Sequence, residues 1–474
     1  MRKRSLRMLL VAWAAVAAAC APRERTVVVL STNDMHAKIQ RFPQLAAAVA
    51  ACRDTVPTLL VDAGDRWTGN AYVDKAPTPG MPMIRLMNRL GYDVATLGNH
   101  EFDFGQAFLG RMIDSMDFEV IAANVASDTC TFPQLPPYAI VERGGVRFGF
   151  VGAVTNYEGP GHPAGNKESF RGLRFPDPQR EARRLAEELR RKVDVLVLVS
   201  HMGDDRDAEL LAEGTPYDLV IGGHTHVLRD TTICGTLLTQ TGKDLKSVGA
   251  TTIRLRGDRI EHIDFRVVPL EGYPEAAEYR ALVDESYADP QLNAPVGVFG
   301  READKWGVAN WMASAIADEA DAEIGIYHIG GVRLDGIPAG GVSTGTVYDL
   351  EPFGTKIALM TMTPADLRRM IVAKYNDEEN RKEAHRVDLI ATTPYVIVTD
   401  AADNALDVRF PALREGRGYR VAVSDYVFRN YRDLNYSEGR ITDEPVAEAL
   451  LEELEDDSPL MPDNTPRQTV EIRR

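Results

Sequence analysis

The sequence predicts a two-domain α/β protein, and three observations carry that prediction. Short β-branched runs alternate with amphipathic stretches as far as residue 270. A polar, alanine-bearing segment follows, and beyond it the chain turns into a glycine-rich mixture of strand and helix patterns. At 474 residues the chain is long enough to build two cores.

The start of the chain reads as a targeting segment. Arg2, Lys3, Arg4 and Arg7 precede twelve uncharged, mostly apolar residues, Met8 to Ala19, and then Cys20. Twelve residues are too few to span a bilayer, so residues 1–19 are expected to be a cleaved signal peptide. Ala17-Ala18-Ala19-Cys20 resembles a bacterial lipoprotein processing site, with Cys20 as the lipid-bearing residue and 20–25 as a tether. It departs from that pattern at Ala17, where Leu is usual, and Ala17 to Ala19 also suits ordinary signal peptidase. Both routes predict export to the periplasm or cell surface; only the first adds a membrane anchor.

Residues 26–270 form the first predicted domain. Val27–Leu30, Thr58–Val61, Val94–Leu97, Val195–Val199 and Leu219–Ile221 read as strands buried on both faces. Residues 180–192 carry charges on one face and sparse apolar positions on the other, a surface helix. Residues 271–295 are expected to form a linker, helical over 274–287 and able to act as a hinge. The second domain, 296–474, reads as a helix over 306–320, a strand over 323–327, a glycine-rich stretch to Gly345 and a strand over 357–362. A helix over 364–375 and strands near 395–399 and 419–424 follow. Its acidic, proline-bearing end, 448–466, is expected to be a helix followed by a solvated tail.

The formal net charge is −16, and −20 without the four cations of residues 1–19. Such a chain is poorly suited to holding long nucleic acid by phosphate neutralisation, whereas a small phosphorylated ligand in a local cationic pocket is compatible with it. Cys52, Cys130 and Cys234 permit at most one disulfide, and none lies in a ligand motif.

Each of the five strands of the first domain ends in metal-ligand residue types. The first leads to Asp34 and His36, the second to Asp65, the third to Asn99 and His100, the fourth to His201 and the fifth to His224 and His226. Five of the nine histidines fall in these positions, a concentration that structural histidines have no reason to show. Loops at the carboxyl ends of strands are where α/β sheets place ligands. Two divalent ions need one shared anionic donor and several further oxygen or nitrogen donors each. Asp34, His36 and His226 on one ion, Asn99, His201 and His224 on the other, and Asp65 between them satisfy that need. Such donors without thiolate suit zinc or manganese first, with cobalt and iron as alternatives.

Thr32-Asn33-Asp34-Met35-His36, Gly64-Asp65, Gly98-Asn99-His100-Glu101-Phe102-Asp103, Ser200-His201-Met202-Gly203 and Gly222-Gly223-His224-Thr225-His226 resemble the calcineurin-like metallophosphoesterase domain of bacterial 5′-nucleotidases. Gly330-Gly331-Val332-Arg333, Ile337-Pro338-Ala339-Gly340 and Pro352-Phe353-Gly354 are similar to the C-terminal domain of the same family. The resemblance implies a four-layer α/β/β/α sandwich joined by a helical linker to an α/β nucleotide-binding domain. It implies the ligand set above, with His100 as a catalytic group oriented by Asp103 rather than a ligand. The implied reaction is hydrolysis of 5′-nucleotides to nucleoside and phosphate by hydroxide generated at the metals.

On the substrate side the resemblance implies Arg301 and Arg333 facing phosphate and Phe353 as one half of an aromatic clamp on the base. His328 stands where a base-contacting asparagine is usual, and Tyr436 or Tyr431 is the candidate for the other half of the clamp. The family's glycine-rich loop is replaced by Asn430-Tyr431-Arg432-Asp433-Leu434-Asn435-Tyr436. These departures leave 2′,3′-cyclic nucleotides, UDP-sugars or a sulfur ester as alternative substrates. A surface binding protein without turnover is the alternative of a different class.

Overall fold

The computed structural model describes residues 24–127, 132–157, 161–378, 380–381, 386–431 and 437–473. The targeting segment, Cys20, Cys130 and Tyr436 lie outside the described residues. Cys52 and Cys234 carry free thiols.

Two six-stranded sheets form the first domain. One runs in the spatial order Arg259–Pro269, Ser247–Arg256, Glu24–Thr32, Thr58–Asp62, Val94–Ala95, Glu119–Val120. The other runs Leu228–Ile233, Thr236–Thr241, Leu219–Ile221, Val195–His201, Val146–Val154, Tyr138–Arg143. Strand periodicity explains how they stack. Val27, Val29, Leu59 and Val61 meet Phe148, Phe150, Val197 and Val199 in an apolar layer between the sheets. Val28, Leu30 and Leu60 point the other way, into a layer covered by the helices Phe42–Arg53 and Met81–Leu90. Leu196, Leu198 and Val220 do the same on the far side, under Pro178–Leu189 and Asp204–Ala212. Strands with apolar side chains on both faces therefore require helix, sheet, sheet, helix in that order.

Local sequence sets the helix ends. Asp177 accepts the amide of Arg180 and Pro178 occupies the first turn. Thr363 and Asp366 form a reciprocal capping box at Pro364–Asn376. Gly91 closes Met81–Leu90 at φ 71°, a left-handed conformation that suits glycine. The predicted linker helix, Ala277–Tyr287, is not a free connector. Val283 is fully buried in the first domain's core, and the amide of Ala276 donates to Pro43 O at 3.1 Å.

The second domain is built on a five-stranded sheet ordered Leu389–Ala391, Ile324–His328, Tyr419–Ser424, Lys356–Met362, Ser437–Pro445. The helices Lys305–Glu319 and Val446–Asp457 share one of its apolar layers, and Pro364–Asn376 lies in the other. A three-stranded sheet, Ala405–Arg409, Tyr395–Thr399 and Gln468–Ile472, completes it.

The end of the chain departs from expectation. Beyond Val446–Asp457 it is not a solvated tail: Leu460 exchanges backbone bonds with Val298 (2.9 Å) and Gly300 (2.8 Å), and Gln468–Ile472 pairs in parallel with Tyr395–Thr399. The reason is backbone pairing rather than apolar burial, since Val470 is 43% and Ile472 62% exposed. Acidity and exposure of side chains say nothing about ladder bonds. Truncation after Asp457 is expected to lower the melting temperature by roughly 5–10 °C, the shift produced by losing a few kcal/mol in a domain of this size. Scanning calorimetry of the truncated chain checks it; an unchanged transition would return the tail to solvent.

Candidate metal centre

The loops after five of these strands converge. Asp34, His36, Asp65 and His226 each present a donor atom within 4.8 Å of the others, and so do Asp65, His201 and His224. Asp65 belongs to both groups. Asn99 Oδ1 lies 3.1 Å from His224 Nδ1, beside the second group. The seven residues expected as ligands are thus brought to one place from both sheets.

Backbone geometry makes the convergence possible. Asp34, His36, Asp65, His224 and His226 have φ of 49°, 45°, 55°, 84° and 60°. Left-handed backbone turns each loop sharply off its strand and is uncommon for residues with a Cβ. The amide of Asp34 donates to Gly64 O and that of His36 to Asp65 O, both at 3.0 Å, so the first two loops brace one another. Asn33 Nδ2 donates to Asp34 Oδ2 at 2.6 Å and its Oδ1 accepts from the amide of Thr241, which fixes the Asp34 carboxylate.

The polar atoms are arranged for a cation. His201 Nδ1 lies 2.7 Å from Ala63 O, so that nitrogen carries the proton and donates it, leaving Nε2 toward Asp65. His201 Nε2 is 3.1 Å from Asp65 Oδ2, yet it is buried without a well-directed hydrogen bond. His36 Nε2 and His226 Nε2 lie 2.9 Å apart. Burial first, then the nearby Arg333, pushes both of these imidazoles well below their ordinary pKa, so their nitrogens are lone-pair donors. Burial raises Asp34 to about 6 although His201 opposes it. Burial also disfavours the proton on His201, but Asp65 and Asp34 outweigh it and raise that group to about 10. Two fully buried carboxylates here attract positive charge strongly, and oxygen and imidazole donors at this spacing fit a divalent metal ion.

His100 sits beside the donors without joining either group. Its Nδ1 is 2.7 Å from Asp103 Oδ2, and its amide donates to Asp65 Oδ1 at 2.9 Å. Burial lowers its pKa, but Asp103 and Asp65 more than compensate and the net shift is upward. Its ring stacks on Phe353 at 5.8 Å and 22°, and the guanidinium of Arg333 lies 5.6 Å from the centre of the same phenylalanine. Arg333 Nη2 is 3.3 Å from His36 Nδ1. Arg333 and Phe353 of the second domain therefore reach the loops of the first.

The other substrate-side residues make contacts of their own within the second domain. Arg301 donates to Pro462 O on the returning tail. His328 is 9% exposed, stacks on Tyr426 at 4.8 Å and is pushed down to about 4 by burial. Tyr431 packs edge-on against His328 at 6.4 Å and bonds Asp388. Tyr436 lies outside the described residues.

Sequence reasoning missed the buried charges behind the loops. Asp62, Arg66 and Glu101 are all fully buried, with Arg66 Nε 3.2 Å from Asp62 Oδ2. Their signal was present: a cation four residues after an aspartate, and a glutamate closing the run from Gly98.

Residues 27–228 match the model of the calcineurin-like phosphoesterase family, and residues 294–434 that of the 5′-nucleotidase C-terminal domain. The chain is 25% identical over 479 residues to the protein UshA of Yersinia enterocolitica, covering 84% of each. It is 23% identical over 468 residues to the trifunctional nucleotide phosphoesterase protein YfkN of Bacillus subtilis, covering 85% of this chain but 32% of that one. The chain thus spans about a third of the length of that relative. The crystal structure of a 5′-nucleotidase precursor from Thermus thermophilus shares the fold, with a TM-score of 0.80 at 21% identity over 94% of this chain and 99% of that one.

Proposed function

The chain belongs to the 5′-nucleotidase family of metal-dependent phosphoester hydrolases, and from that premise we propose that it hydrolyses 5′-nucleotides to nucleoside and phosphate at a pair of divalent ions. The observation that carries the two-ion reading is Asp65, the one carboxylate common to both donor groups. Asp34, His36 and His226 would hold one ion, Asn99, His201 and His224 the other. Such a pair, when bound, lowers the pKa of water and offsets charge on phosphoryl oxygens. Zinc or manganese suits the donors.

The chain's own residues supply the rest. Arg333 presents a guanidinium beside the metal loops, suited to a phosphoryl oxygen. His100, whose protonated form Asp103 favours, would donate a hydrogen bond to the phosphoryl group or a proton to the leaving oxygen. Phe353 offers a face for a base.

Purified protein offered a panel of 5′-nucleotides, 2′,3′-cyclic nucleotides and UDP-sugars tests this. Phosphate release from at least one 5′-nucleotide is expected, lost on chelation and restored by zinc or manganese. No release from any 5′-nucleotide would remove the reading. The replacement of the family's glycine-rich loop by Asn430-Tyr431-Arg432-Asp433-Leu434-Asn435-Tyr436 motivates a second one, in which the same centre serves another phosphoester. Activity confined to cyclic nucleotides or UDP-sugars would establish it.

Export with a lipid on Cys20 is part of the proposal, and it rests on the leader and Ala17-Ala18-Ala19-Cys20 alone. Cys20→Ser is expected to move the protein from the membrane to the soluble fraction and to abolish labelling by radioactive palmitate. Unchanged fractionation would leave export without the anchor.

A further inference from the structure

Glu101 lies behind the metal-facing loops, and its carboxylate receives three backbone amides. Oε2 accepts from Asp65 at 2.9 Å and from Gly98 at 2.5 Å, and Oε1 from Arg66 at 2.9 Å. Asp65 and Gly98 stand on different loops: the first carries the carboxylate common to both donor groups, the second leads into Asn99 and His100. One fully buried side chain therefore ties the two loops together.

The loops approach each other more closely than side chains allow. A Cβ on Gly98 would stand 2.1 Å from Asp65 Oδ1, and a Cβ on Gly64 2.5 Å from Gly98 N. Contact this tight needs an acceptor for amides that water cannot reach, because a buried N–H left unpaired is costly. Arg66 supplies the countercharge: its Nε is 3.2 Å from Asp62 Oδ2 and 4.0 Å from Glu101 Oε1, and all three side chains have no exposed surface. A buried cluster of this kind contributes little net stability when intact, whereas removing one member leaves an uncompensated buried charge.

We infer that Glu101 is a positioning residue that fixes the separation of Asp65 from Asn99, and with it the reach of the shared carboxylate to both donor groups. Glu101 would bind no metal and touch no substrate. The inference rests on the two-ion reading proposed above. Glutamine in its place has one acceptor oxygen and an NH2 group, so either the amide of Arg66 or the amides of both Asp65 and Gly98 would face a donor, and the countercharge to Arg66 is lost in both cases. Aspartate is one methylene short of bridging both loops.

The test compares the full-length parent, Glu101→Gln and Glu101→Asp. Mn2+ affinity is measured by titration calorimetry after chelator treatment. kcat and KM are measured on the 5′-nucleotide that the parent cleaves best. Glu101→Gln is expected to weaken Mn2+ binding about 10–100-fold, the range for residues that orient ligands. At saturating Mn2+ its kcat is expected to stay at least ten-fold below the parent's, with KM within about two-fold. A merely structural role would lower the melting temperature and leave the Mn2+ affinity of the folded protein unchanged. Parental affinity and kcat in Glu101→Gln would overturn the inference while the parent still binds metal. A parent that binds no divalent ion would overturn the two-ion reading as well. Should both variants fail to fold, hydrogen exchange in the parent decides. The amides of Asp65, Arg66 and Gly98 are expected among the slowest to exchange before metal is added, and fast exchange there would defeat the proposal.

Discussion

Asp65→Ala is expected to lower kcat by about 10³-fold or more and to cut bound metal to one ion or none per chain. Two of its contacts set this size. Asp65 is the carboxylate shared by both donor groups, and its Oδ1 also accepts the amide of His100. On the two-ion proposal its removal takes a donor from each ion at once, and metal ions at a phosphoryl centre supply several kcal/mol of charge stabilisation. At 1.36 kcal/mol per decade, about 4 kcal/mol is roughly 10³-fold. Elemental analysis together with initial rates checks it. Full metal content and rate in the variant would mean that the carboxylate does not bridge. Asp65→Asn is the stricter comparison, since it keeps the shape and the oxygen facing His100 while losing the charge.

His100→Ala is expected to lower kcat by about 10²–10⁴-fold, the usual span for a positioned proton donor, with metal content unchanged because His100 joins neither donor group. The pH profile gives the sharper reading. Burial works against protonation of His100, and Asp103, at 2.7 Å from its Nδ1, is the leading contribution that raises its pKa. On the proposed role the useful form is the protonated one, so activity is expected below that pKa and is expected to fall as pH rises through it. Asp103→Asn removes the leading favourable charge, which lowers that pKa and shifts the alkaline limb toward lower pH. Its kcat is expected to drop roughly 10–100-fold, as for other orienting partners. An alkaline limb unmoved in Asp103→Asn would assign it to another group.

Much of the fold was legible because the strands are simple. Val27 to Leu30 and Val195 to Val199 are apolar at every position, and each faces a layer on both sides. The helix start at Thr363-Pro364 was legible because proline and a capping side chain coincide there, whereas the helix expected over 180–192 runs Pro178–Leu189, its Asp177 cap and Pro178 unread. The strand Gln468–Ile472 was not legible. It is short, polar and largely exposed, and its partner lies at Tyr395–Thr399, so nothing local marks it. At the site, Asp34, His201 and His224 were legible as residue types at strand ends. The exact mutual arrangement was not, because it depends on left-handed turns and on two glycines that let separate loops touch. Asp62, Arg66 and Glu101 were given no role although their spacing carried a signal, and their complete burial is what shows that they form one cluster. The placement of Arg301 against Pro462 depends on the returning tail, which the sequence had assigned to solvent.

The left-handed backbone at Asp34, His36, Asp65, His224 and His226 has a bearing on which residues can stand there. Each is a position where glycine is intrinsically more comfortable, by about 1 kcal/mol. Glycine there would relieve the turn, yet at Asp34 and Asp65 it would empty a buried space and strand the amides of His224 and His100, so the strain of the turn is held in place by the same contacts that gather the donors.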